Sequence, residues 1–161
     1  MALEESHPWV KGLKVSNDGI ILYWTDSCIC LHNLNGKLMR SYKEIPVEGS
    51  TTEMELMPRY QYLVIALHSG YLTACKYLTN LSLLFNVKAH LKPIITLCTH
   101  PAYENMVMTG ATDGFIKIWN IDKQSQAFSI SLEYTISSIH FMREEGLFSY
   151  VKKKRLHVFV I

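Results

Sequence analysis

The sequence predicts an all-β chain of about four propeller blades, each a small antiparallel sheet of short strands. Three observations carry this. A layout of turn and strand recurs at a near-constant interval, hairpin turns punctuate each interval, and the apolar runs are strand-sized with no long amphipathic helical pattern. The 161 residues suit a single domain, 1–161, with a buried core.

The recurring layout is clearest at Thr109-Gly110-Ala111-Thr112-Asp113-Gly114-Phe115-Ile116-Lys117-Ile118-Trp119-Asn120, where an Asp-Gly turn joins two apolar strands. Asp113 precedes Trp119 by six residues, as Asp26 precedes His32, Ser69 precedes Cys75 and Lys153 precedes Phe159. The anchors His32, Cys75, Trp119 and Phe159 therefore stand 43, 44 and 40 residues apart. Four short antiparallel strands and their turns occupy about 40–45 residues, the period of one blade.

Each interval holds the strands a blade needs. The first, approximately 8–44, has turns at Asn17-Asp18-Gly19 and Asn35-Gly36, where Asn and Gly tolerate positive φ, around the run Ile20 to Trp24. The second, 50–88, carries the run Tyr62 to Leu67 before the turn His68-Ser69-Gly70. The third, 90–132, runs through Ile94 to Cys98, Met106 to Thr109, Phe115 to Trp119 and Ala127 to Ile130. The fourth, 134–161, reaches only its third strand, so the last blade is incomplete. Central strands sandwiched between neighbouring blades should read as continuous apolar runs, and these do.

These residues resemble the WD40-repeat family. Ala89-His90 stands where that family has Gly-His, and Trp119-Asn120 where it has Trp-Asp, with the family's spacing between them. The resemblance implies a buried structural network of His90, Thr109, Asp113 and Trp119. Its chemistry is coherent: the carboxylate accepts from the imidazole, the imidazole from the hydroxyl, and the hydroxyl from the indole N–H. The other three repeats depart from this pattern, and only Asp26 keeps the acidic turn residue. Rings of that family commonly hold about seven or eight blades, so a partial or truncated propeller, open as an array, is expected over a closed four-blade ring. Residues Met1 to His7 are the one segment available to supply a closing strand, though little in them favours β structure.

Composition narrows function. Apolar residues make up 48%, charged residues 19%, and the net charge is +2, so neither a disordered tail nor a nucleic-acid arm is indicated. The acidic N-terminal residues Glu4 and Glu5 do not fit a signal peptide, and no apolar run spans a bilayer. A cytoplasmic or nuclear protein is expected, with its four cysteines reduced.

No catalytic constellation stands out: there is no nucleophile elbow, no His-Glu-x-x-His pair and no phosphate loop. Cys28, Cys30 and His32 share a strand, but alternate residues on one strand converge poorly on a tetrahedral ion, and core packing is the expectation; no metal or cofactor is predicted. The predicted function is a non-catalytic scaffold or complex subunit whose partners are other proteins, without a small-molecule substrate or membrane. In this topology the second-to-third-strand turns share a face with the links between blades. That face offers His68, Lys92, Lys152, Lys153 and Lys154 as partner-binding candidates, with the link Glu44 to Ser50 as the longest. The alternatives are a nuclear or nucleic-acid-associated propeller using the basic turn Lys152-Lys153-Lys154-Arg155, or a fragment or isoform with no independent function. A single basic cluster without flanking aromatics weighs against nucleic acid.

Overall fold

In a computed structural model of the chain, residues 9–16, 18–100, 103, 105–132, 134–141, 147–152 and 155–160 are described. Among these described residues fifteen strands form four antiparallel sheets, each strand hydrogen-bonded to the next in sequence within its sheet. The first sheet is β1 (Gly12–Val15), β2 (Ile20–Trp24), β3 (Ile29–Asn33) and β4 (Leu38–Tyr42). The second is β5 (Thr51–Met57), β6 (Tyr62–Leu67), β7 (Tyr71–Lys76) and β8 (Ser82–Lys88). The third is β9 (Ile94–Thr99), β10 (Met106–Ala111), β11 (Phe115–Asn120) and β12 (Ser125–Ser131). The fourth has three strands among the described residues, β13 (Ser138–Phe141), β14 (Leu147–Lys152) and β15 (Arg155–Val160). The sheets follow one another around a ring in a four-blade propeller arrangement, with β1, β5, β9 and β13 innermost. No α-helix occurs among the described residues, and no helix is long and apolar enough to cross a membrane.

Three apolar junctions hold successive sheets together. Leu22, Trp24 and Leu31 of the first pack against Met54, Leu63 and Ile65 of the second. Val64, Ala66 and Leu72 of the second meet Leu97, Val107 and Trp119 of the third. Met108, Ile116 and Ile118 of the third meet Ile139 and Tyr150 of the fourth. Each fully buried Leu or Ile contributes about 1.5–3 kcal/mol, so the sheets are stabilised chiefly by one another.

Strand register shows where that burial stops. Leu13, Met54, Leu97 and Ile139 occupy one equivalent position on the innermost strands, paired with Tyr23, Ile65, Thr109 and Tyr150 respectively. Met54, Leu97 and Ile139 are at most 1% exposed, whereas Leu13 is 60% exposed. On the third strand of each sheet, Ile29, Leu72 and Ile116 are equally buried while Leu156 is 68% exposed. At these described positions the first and fourth sheets are bare on the sides turned toward the gap between them. Among the described residues no extensive contact joins those two sheets.

Candidate functional site

The face carrying the second-to-third-strand turns is stitched together by hydrogen bonds between turns and links. The His68 N–H donates to Ser50 O of the preceding link at 2.9 Å. Gly70 O accepts from the Ala89 and His90 N–H groups of the following link, both at 3.0 Å. Thr112 N–H donates to Pro93 O at 3.0 Å, and Gly114 O accepts from Leu132 N–H at 2.7 Å. Gly70 and Gly114 adopt φ of +83° and +84°, and a Cβ there would fall 2.3 Å from His90 O and 2.4 Å from Leu132 O. Only glycine fits a turn that bends this way and presses its backbone onto the link.

The third sheet fixes its link through side chains as well. Trp119 Nε1–H donates to Thr109 Oγ1 at 3.1 Å, and Thr109 Oγ1 lies 2.8 Å from His90 Nε2. His90 Nδ1 lies 3.1 Å from Asp113 Oδ2 and 3.2 Å from Oδ1. The chain is satisfied when Nδ1 carries the imidazole proton and the Thr109 hydroxyl donates to Nε2. Asp113 also accepts from the Leu91 and Phe115 N–H groups, each at 3.1 Å. Burial lowers the His90 pKa against the opposing pull of Asp113, which keeps the imidazole neutral and the network in this hydrogen-bonded form.

Around this anchor lie the other sequence candidates. His68 and Lys92 are exposed, and Gly70 brings their backbones together, since its Cβ position would lie 2.8 Å from Lys92 O. Between His90 and Lys92 projects Leu91, an apolar side chain 85% exposed, which sequence reasoning passed over. The signal available was its place next to the network histidine. Lys153 and Lys154 lie outside the described residues; Lys152 is described only by its backbone pairing with Arg155, which closes the β14–β15 hairpin. Met1 to His7 also lie outside them.

The first sheet treats the same spacing differently. Asp26 is exposed and forms an ion pair with Lys11. His32 directs Nδ1 to Gly36 O at 3.1 Å, and its ring lies 5.5 Å from that of Tyr23. Cys28 and Cys30 are buried, with Thr25 Oγ1 3.2 Å from Cys28 Sγ. Among the described residues no three His, Cys, Asp or Glu side chains are grouped to hold a metal.

A second polar cluster, absent from the sequence reading, bridges the innermost strands. Lys14 Nζ lies 2.8 Å from Glu55 Oε1 and 3.2 Å from Glu53 Oε2. Burial alone would lower the Lys14 pKa, but the two carboxylates override it and raise it; burial raises that of Glu55 despite Lys14. Glu55 also lines a cavity of about 340 Å³ on the opposite face, with Ser16, Asp18, Arg59, Thr99 and His100. Burial pushes the Cys98 thiol up to about 12 and the Cys75 thiol up to about 11, so both stay protonated at neutral pH.

No family model matches the chain, and no curated protein matches it. Solved structures do. The crystal structure of the computationally designed Ika4 protein aligns with a TM-score of 0.75 over 99% of this chain and 96% of that one, at 20% identity. A likeness at that identity carries the fold alone: the chain is an all-β protein of four propeller-like blades.

Proposed function

We propose that the chain is a WD40-type propeller that serves as a non-catalytic protein–protein scaffold or complex subunit in the cytoplasm or nucleus, and that it binds through the turn-and-link face. The observation that carries this reading is Leu91. An apolar side chain almost wholly in water sits on a backbone immobilised by Asp113, between an exposed lysine and a turn bearing an exposed histidine. An exposed apolar side chain with a polar surround, held rigid before binding, supports a protein contact here because little ordering is left to pay for on association.

The test places a photo-crosslinking amino acid at Leu91 and, in a second protein, at Leu83 on the outer strand β8, which is also exposed. Adducts to other proteins in cells are expected at position 91, and they should vanish when Lys92→Glu is added. Equal labelling at both positions would overturn the reading.

A further inference from the structure

We propose that two copies of this chain join head to tail, the fourth sheet of each seating on the first sheet of the other, to close a two-chain ring. Every internal junction repeats one arrangement: the third-strand positions of one sheet cover the innermost-strand position of the next. Leu72 and Ala74 of β7 and Leu97 of β9 share one buried cluster, and Ile116 and Ile118 of β11 share another with Ile139 of β13. At the first and fourth sheets the same positions hold the same kind of side chain with no described residue packed upon it. Leu156 and Val158 of β15 correspond by register to Leu72 and Ala74, and Leu13 of β1 corresponds to Leu97.

These end faces are therefore two halves of the interface the protein already uses three times. Leu13 and Val15 on one, and Leu156 and Val158 on the other, are each more than half exposed, so the described residues leave them uncovered. Apolar pairs of this size at both ends favour association when a matching face is supplied. A second copy supplies both halves at once. The contact is heterologous, and two copies related by a two-fold axis satisfy both seams with none left over.

The test measures the mass of the full chain in solution by sedimentation or light scattering at micromolar concentration. The wild-type chain is expected at twice its own mass. Leu13→Lys alone and Leu156→Glu alone should each run as single chains with unchanged circular dichroism, because both side chains are exposed. Mixing the two variants should restore the double mass. That mixture contains one wild-type seam and one in which the introduced ammonium faces the introduced carboxylate, an outcome that a symmetric face-to-face dimer would not give. Val15→Lys with Val158→Glu repeats the experiment should either first variant misfold. A wild-type chain at single mass, a mixture that stays monomeric, or species that grow without limit would each overturn the two-copy ring. None of these outcomes bears on the turn-and-link face, which lies elsewhere.

Discussion

The first and third sheets are built on the same spacing, and the structure uses it in opposite ways. In each, an aspartate in the second-to-third-strand turn precedes a ring-bearing residue of the third strand by six positions. In the third sheet Asp113 turns inward, where His90, Leu91 and Phe115 give it donors. In the first, the turn is short and is filled by Thr25, whose hydroxyl accepts from the Ser27 and Cys28 N–H groups. Asp26 is left outside with Lys11. The difference teaches that a carboxylate enters a blade only where donors wait for it, because burying an unpaired charge is far costlier than leaving it in water. The two sheets also differ in packing. Both faces of the third are covered by neighbours, whereas the first buries one face and bares Leu13 and Val15 on the other.

The packing difference gives the largest expected effect. Leu97→Ala should lower unfolding free energy by about 2–5 kcal/mol, because it removes a buried side chain from the junction of second and third sheets. Leu13→Ala, at the equivalent position of the first sheet, should change it by less than about 0.5 kcal/mol under conditions where the chain is monomeric. Chemical denaturation of the two variants measures both. Equal losses would mean that the first sheet is covered as the third is.

The polar anchor comes next. Asp113→Ala strands the His90 Nδ1–H and two backbone N–H groups, and should cost about 2 kcal/mol, moderated by water entering through the turn. Asp26→Ala should leave the denaturation midpoint where it was, since exposed ion pairs contribute little. If both substitutions proved silent, the His90 network would not be what holds the link.

How much of this was legible in the sequence follows from which interactions are periodic. Strand spacing is legible because it repeats, whereas the four partners His90, Thr109, Asp113 and Trp119 are legible only through the resemblance to WD40 repeats, since His90 and Asp113 lie outside the strands whose register spacing sets. An open array is the expectation from the blade count, but which side chains it bares is not legible. Leu13 and Leu156 are the same kind of residue as Leu97 and Leu72, and only the absence of a neighbouring sheet sets them apart. The inward or outward turn of Asp26 and Asp113 is equally hidden. It depends on a link histidine and on a tighter loop in the first sheet, where Trp24 pairs with Ile29 while Gly110 pairs with Ile116. Lys14 with Glu53 and Glu55 escapes spacing arguments altogether, since the contact crosses between blades. Its one trace is charged residues in two innermost strands otherwise facing apolar partners.

The smallest effect separates the two sheets by pH. Burial holds the His90 pKa below the ordinary 6.5, with Asp113 opposing and Lys117 assisting, so between those values the unfolded chain binds a proton that the folded chain refuses. Stability contributed by His90 is therefore fully present above about pH 7 and falls as pH drops through 6.5, levelling off once the folded imidazole also protonates. Linkage limits the loss to about 1.4 kcal/mol for each pH unit between the unfolded and folded values. Glu55 acts in the reverse sense, because its raised pKa makes the folded chain the one that holds a proton above 4.5. The measurement is accordingly a difference: His90→Gln keeps a polar side chain but cannot titrate here, so wild type and variant should converge in stability as the medium is acidified. Parallel curves for His90→Gln and wild type would mean that folding leaves the His90 pKa unshifted, and curves that diverge on acidification would mean that the imidazole is charged in the fold and anchors the third sheet as an ion pair.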